Sequence, residues 1–290
     1  MTRLFARAAL GALLVALAPL AGAAQDAKDP KGPKALTIRW FGQSFFQFED
    51  SAGRVFAVDP HGIPAFGRTP VRADFALLSH SHDDHALIEM LDTGAKDARI
   101  KENDVYRGVV ETKAGKQDWK LHDEKRGPTK FRNVATYHDT TNGMQRGKNS
   151  AWVIEVDGLT ICHLGDLGHE LSDLQIKGIG KIDVLMVPVG GIYTINGEQA
   201  AAVTKKLKPR LYALPMHYGV PGYDDLSGPE EFLSEFKKDQ VKRTPNTNEL
   251  VIPLDAKADA PTVLLMGWKK ADPPKELKEP KDKPKEPKKP

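Results

Sequence analysis

Three histidines and two aspartates fall within six consecutive positions, His80-Ser81-His82-Asp83-Asp84-His85, directly after an apolar run over 75–78. Neutral imidazole nitrogens and carboxylate oxygens are the donors that hold zinc-like divalent ions, at roughly 2.0–2.2 Å. One such histidine would be an ordinary loop residue; four potential ligands at this spacing point to a metal site. In an extended segment, residues two apart face the same side, so His80 and His82 can share an ion. The pattern of residues 84–91 predicts a helix, which aims Asp84 and His85 at a different point. The run therefore reads as half of a two-metal site.

Further ligand types arrive singly, each just after a strand-like run. Residues 133–137 lead into His138, residues 159–165 into Asp166, and residues 211–216 into His217. A strand-end histidine or aspartate usually has a local structural role, but together these complete a set of seven. His138 suits a three-histidine group with His80 and His82. His217 suits Asp84 and His85, and the two oxygens of Asp166 could bridge both ions.

These side chains must be positioned by the elements around them. Runs rich in β-branched, aromatic or leucine residues predict strands over 36–40, 44–48, 55–58, 75–78, 134–137, 151–156, 159–163, 184–187, 211–214 and 262–266. Helical patterning predicts helices over 84–91, 170–176, 198–207 and 229–238. Several strands are apolar at consecutive positions, as strands buried on both faces are. Strands with helices outside mean a layered α/β architecture.

The ends of the chain are different. Residues 1–23 combine Arg3 and Arg7, an apolar stretch and the small residues Ala21-Gly22-Ala23, the pattern of a secretory signal peptide cleaved after Ala23 or Ala24. Residues 24–34 form a polar linker, 35–270 the folded domain, and 271–290 a Lys/Pro-rich tail with too little to bury to fold. Seven lysines against four acids from Pro273 onward, with the two leader arginines, exceed the whole chain's net charge of +3, so the domain itself is slightly acidic. No specific nucleic-acid partner is implied, and the sequence is silent on oligomeric state. The tail offers weak contact with a polyanion or the cell envelope, although a solvated spacer is the simpler role. The single cysteine, Cys162, cannot make an internal disulfide and reads as a small core residue.

The chain resembles the metallo-β-lactamase-fold hydrolase superfamily, within it the ascorbate-6-phosphate-lactonase-like branch. The resemblance is carried by Val58-Asp59-Pro60, His80-Ser81-His82-Asp83-Asp84-His85, His138, His163-Leu164-Gly165-Asp166, Val187-Pro188-Val189-Gly190-Gly191 and Pro215-Met216-His217-Tyr218. It implies a four-layer αββα sandwich. His80, His82 and His138 would hold one ion, Asp84, His85 and His217 the other, and Asp166 would bridge them. Asp59 would brace the histidine loop, and His163 would stand behind the ligands or be structural.

The implied chemistry is hydrolysis by a hydroxide generated between two ions, with Asp84 orienting the water and accepting its proton. Ser79 and Ser81 are then loop residues, since no side-chain nucleophile is needed. Zinc is the first choice of metal, and manganese or iron also suit a thiolate-free site. The substrate would be a small lactone or ester, or a phosphodiester. The lack of a cysteine ligand disfavours antibiotic hydrolysis. Candidate substrate contacts are Asn142, Tyr193 and Tyr218, while His61, His122 and His169 read as surface residues. The alternative is an exported metal-binding envelope protein without turnover, acting through its basic tail.

Overall fold

The computed structural model describes residues 34–67, 70–95 and 98–268. The leader, all of the linker but Lys34, and the tail lie outside these residues. Two sheets carry the fold. In the first, six strands lie in the order Glu249–Pro253, Ala35–Trp40, Phe46–Glu49, Val55–Val58, Phe75–Leu78 and Val105–Arg107. In the second, eight lie in the order Asp123–Arg126, Thr129–Tyr137, Lys148–Val156, Leu159–His163, Val184–Pro188, Tyr212–Met216, Thr262–Met266 and Val241–Thr244. All ten strands expected from sequence are present, with ends shifted by a few residues. Those missed include Asp123–Arg126, a fully exposed edge strand whose four charged residues carry no apolar signal.

Alternation along the first sheet separates its faces. Leu36, Ile38 and Trp40 are buried while their neighbours in the strand are partly exposed. They join Phe46, Phe48, Phe56, Val58, Phe75 and Leu77 in the main core against Phe131, Trp152, Ile154 and Ile161 of the second sheet. Phe75 stacks on Phe131 across the layers, ring centroids 5.6 Å apart. The intervening Ala57 and Ala76 face the other way, into a smaller cluster with Phe45, Val71, Leu91 and Ile100. The second sheet's Cys162 is fully buried, and burial pushes its thiol up to about 12, as a core role requires.

Three α-helices occur among the described residues: Asp173–Ile179, Gly197–Leu207 and Glu230–Ser234. The first two begin with capping boxes, Ser172 with Gln175 and Asn196 with Gln199. The helix expected over 84–91 is not there. A turn with His85 N–H donating to the His82 carbonyl is followed by a short 3-10 turn over Ile88–Met90, and Leu91–Asp92 then pairs with Val71–Arg72. Leu87 N–H is taken by the Pro60 carbonyl, so the helical ladder cannot start.

Strand direction places the site. Thr129–Tyr137 and Leu159–His163 are each antiparallel to the strand between them, and Leu159–His163, Val184–Pro188 and Tyr212–Met216 run parallel. All four therefore point the same way, and their carboxyl ends open at one edge of the sheet. That edge receives His138, Asp166, the loop to Tyr193, and His217.

Candidate metal centre

The loop after Phe75–Leu78 is organised by one carboxylate. Asp59 is fully buried; its Oδ1 accepts from Ser79 N–H at 2.7 Å and its Oδ2 from the Ser79 hydroxyl at 2.6 Å. The same Oδ2 lies 3.1 Å from His85 Nδ1. Because the Ser79 hydroxyl proton goes to Asp59, Ser79 Oγ is left to accept from His80 Nδ1 at 2.8 Å. Both histidines thus carry their proton on Nδ1, which frees both Nε2 atoms as donors to a metal. This is how outer carboxylates fix ligand tautomers.

The second sheet brings the other ligands to the same place. His138 N–H donates to the Gly147 carbonyl at 3.0 Å, and Asp166 N–H donates to Asn149 Oδ1, also at 3.0 Å. Asn149 in turn donates to Thr136 Oγ1 and to the Leu164 carbonyl. Gly165 sits where the halves meet, with φ +55°; a Cβ there would collide with Asn149 Oδ1 and come within 2.6 Å of Ser79 Cβ. His217 turns into the site with φ +52°, a left-handed conformation rare outside glycine.

Two groups of three donors result, His80 with His82 and His138, and Asp84 with His85 and His217, each within 4.8 Å. Asp166 Oδ2 lies between them, 3.1 Å from His85 Nε2 and 3.0 Å from the Nε2 atoms of both His138 and His217. Ligands about 2.1 Å from a common ion stand roughly 3.0–3.5 Å apart, so this is coordination spacing. His85 Nε2 and Asp166 Oδ1 are buried with no hydrogen-bond partner, a cost that a cation would remove. The donor set fits divalent ions. A third group, Asp59 with His80 and His85, overlaps these, but the Asp59 oxygens are already occupied.

Electrostatics agree with ligand roles at His80, His82 and the two carboxylates; at His85 burial lowers the pKa, but Asp166 and Asp84 outweigh it and raise it well above the ordinary histidine value, the charge that a cation would supply in its place. Burial lowers His80 and His82, helped by neighbouring histidines, and keeps their imidazoles neutral. Burial pushes the Asp166 carboxyl up, but His217, His85 and His138 outweigh it and hold it well below the usual carboxylate range. Asp84 is likewise held ionised by His85 against the effect of burial.

Gln43, Asp139, Asn149 and Arg146 also shape the site and carry no sequence signal beyond the glycines beside two of them and the histidine before Asp139. Gln43 is fully buried; its Nε2 donates to Asp84 Oδ2 at 3.0 Å, and its carbonyl accepts from His217 N–H at 3.1 Å. It ties together two members of one donor group. A cavity of about 450 Å³ opens over the site, lined by His82, Asp84, His138, Asp166 and His217 with Gln145, Arg146 and Tyr193. Tyr193 is therefore on its wall. Asn142 is exposed outside the lining, and Tyr218 is buried against Trp40, centroids 5.4 Å apart, as part of the core.

His163 stands behind Asp59, with its Nδ1 4.0 Å from Asp59 Oδ2 and its Nε2 2.9 Å from the Ser44 carbonyl. Two histidines expected at the surface are buried. His61 accepts from Ile63 N–H and packs on Phe45 and Phe66, and His122 is held between Glu124 and the Arg107 carbonyl. His169 is partly buried and accepts from Tyr137 N–H, beside the candidate ligand His138.

Comparison with known proteins agrees with this geometry. The β-lactamase superfamily domain family matches residues 37–217. A UPF0173 metal-dependent hydrolase from Thermococcus onnurineus is 32% identical over 67% of this chain and 89% of its own. One from Cupriavidus taiwanensis is 30% identical over 67% of this chain and 78% of its own. A crystal structure from Thermotoga maritima, assigned to the metallo-β-lactamase superfamily, superposes with a TM-score of 0.59 at 30% identity, over 80% of this chain and 98% of that one. With its paired sheets, strand-end ligands and these relatives, the chain belongs to the β-lactamase superfamily as a metal-dependent hydrolase of the metallo-β-lactamase fold.

Proposed function

We propose that the chain is an exported hydrolase that uses two divalent ions, zinc in the first instance, to cleave a lactone, ester or phosphodiester bond. The observation that carries this reading is the position of Asp166 Oδ2, within 3.1 Å of nitrogens from both donor groups. Ions held there supply an activated water and neutralise the charge that develops on attack. The Thermotoga maritima relative, described as a candidate zinc-dependent hydrolase, supports zinc. The lactone among the substrates follows from the sequence resemblance, and export from the leader.

The chain's own residues do the positioning. Asp84, fixed by Gln43 and facing the cavity, orients the attacking water and takes its proton. Asp166 keeps the two groups in register, and the buried Asp59 relay keeps His80 and His85 in the ligating tautomer.

Elemental analysis of protein purified without added metal tests the count and should give about two ions per chain; a single ion would remove the bridging role of Asp166. A panel of nitrophenyl esters, lactones and bis-nitrophenyl phosphate tests the activity, which should vanish with a chelator and in Asp84→Asn. Full metal loading with no turnover across the panel would overturn the hydrolase reading in favour of metal binding alone.

A further inference from the structure

The cavity has a second chemical end that the donor groups do not use. Among its lining residues Arg146 is the only lysine or arginine. Its guanidinium lies over the Tyr193 ring, 5.5 Å from the centroid, and has no carboxylate partner among the described residues. The two carboxylates that line the cavity are committed elsewhere: Asp84 to Gln43 and His85, Asp166 to the histidines. An arginine left without a counter-charge beside a binding cavity is an unspent recognition group, and its planar fork suits carboxylate or phosphate oxygens.

Its position is built rather than incidental. Arg146 follows the ligand His138 by a short loop, and Asp139, the residue after that ligand, ties the loop down. Asp139 Oδ1 accepts from Thr141 N–H, Thr141 Oγ1 and Gly143 N–H, each at 2.8 Å. Its Oδ2 accepts from Gln145 N–H at 2.9 Å and from Arg146 N–H at 2.7 Å. Gly143, at φ +80°, closes the loop so tightly that a Cβ would lie 2.9 Å from the Gly147 carbonyl, the group that anchors His138. The main chain of Arg146 is thus held at a fixed place relative to the metal ligands. Tyr193 comes from the loop after Val184–Pro188 in the same sheet, where Ile192 adopts φ +57°, a conformation costly for a β-branched residue and typical of functional loops.

We propose that Arg146, with Gln145 and Tyr193 beside it, forms a subsite for an anionic group of the substrate, carboxylate or phosphate, carried apart from the bond that is cut. This rests on the hydrolase reading above and narrows it to anionic esters or lactones. Three nitrophenyl esters of similar length test it: neutral butyrate, the glutarate monoester with a terminal carboxylate, and 3-phosphonopropionate. The wild-type protein should favour one or both charged esters over butyrate in kcat/KM, and the larger preference identifies the anion. Arg146→Gln should reduce that preference about 10- to 100-fold, the scale of a charge-assisted hydrogen bond, and Arg146→Lys should restore part of it. No preference in the wild type, or an equal preference in Arg146→Gln, would overturn the proposal.

Calorimetric titration of the metal-loaded protein with glutarate, 3-phosphonopropionate and butyrate separates this proposal from the hydrolase reading. If neither these esters nor the lactones and phosphodiester of the wider panel are cleaved, the hydrolase reading fails. The subsite still stands if a charged ligand binds at least tenfold more tightly than butyrate and Arg146→Gln removes the difference. Indistinguishable affinities for all three ligands would sink it independently of turnover.

Discussion

Four of the seven ligand-type side chains come from one loop, residues 80–85 after Phe75–Leu78, and three come one at a time from strand ends of the second sheet, at His138, Asp166 and His217. Most of the loop depends on one buried carboxylate, Asp59, which holds Ser79 and His85 directly and His80 through Ser79, while Gln43 holds Asp84. The strand-end ligands are braced by different groups: Gly147 for His138, Asn149 for Asp166, and for His217 the carbonyl of Gln43, whose side chain also holds Asp84. A shared brace makes the loop one cooperative unit; separate braces make the second half divisible. Damage should therefore spread in the first half and stay local in the second.

The sharpest contrast is between Asp59→Ala and Asn149→Ala. Removing Asp59 leaves three buried donors without an acceptor and frees His80 and His85, one from each donor group. Breaking a fully buried pair of this kind costs about 3 kcal/mol or more, and loss of a carboxylate behind metal ligands lowers metal affinity about 10- to 100-fold. Urea unfolding and metal content should both collapse in this variant, with both ions affected. Asn149→Ala should cost about 1–3 kcal/mol, the scale of an unsatisfied buried group. It should loosen Asp166 while the group of His80, His82 and His138 still retains an ion. Equal losses in the two variants would break the distinction between a shared brace and separate ones.

A pH effect in the first half comes next. His61 accepts from Ile63 N–H at 3.1 Å on Nδ1, so its Nε2–H donates to the Gly42 carbonyl at 3.0 Å. Burial lowers its pKa to about 4, against which the Gly42 hydrogen bond is a smaller, opposing influence. The folded-state value lies below the unfolded one of about 6.5, so below that pH the unfolded chain takes up a proton that the folded chain refuses. The contribution of His61 is complete above pH 6.5 and is lost as pH falls toward 4, by at most about 3 kcal/mol. Unfolding of wild type and His61→Gln across this range should give a difference that changes by an amount of this order. A difference independent of pH would show that the ring does not stay neutral in the fold.

The same asymmetry decides what could be read from the chain. His80, His82, Asp84 and His85 are legible because their partners lie within six residues, and the two donor groups formed in space are the ones inferred from sequence. The ten strands were legible from apolar runs, since burial is what those runs report. The helix over 84–91 was not, because Leu87 N–H goes to Pro60 and the side chains of Asp84 and His85 serve the site. Propensity loses to tertiary hydrogen bonding there. Gln43, Asn149 and Asp139 escape because each is an ordinary polar residue until the fold closes; Gln43 and Asp84 are 41 positions apart. The cavity wall shows how a local reading stops short: Asn142 supplies a left-handed turn outside the lining, while Gln145 and Arg146, a few residues on in the same loop, line the cavity.

The smallest effect belongs to Asp139, the brace of that loop, and it sharpens the comparison because it acts on one loop of the divisible half. Burial raises its carboxyl, but the Arg146 N–H and Thr141 hydroxyl, followed by Gly143 and Thr141 N–H, outweigh this and hold it well below the ordinary value. For a carboxyl with a depressed folded-state pKa, the stabilisation is present above about pH 3.9 and is lost as pH falls through the lowered value. The loop should therefore keep its form throughout the neutral range and open only in strong acid. Asp139→Ala should bring that opening to neutral pH at a cost of about 1–2 kcal/mol, since most of the loop's donors can turn to water. Amide exchange should then rise across 140–146 and remain unchanged across 79–85. Exchange that rises equally in both loops would mean that the second half is not divisible at all, and that the strand ends and the histidine loop stand or fall together.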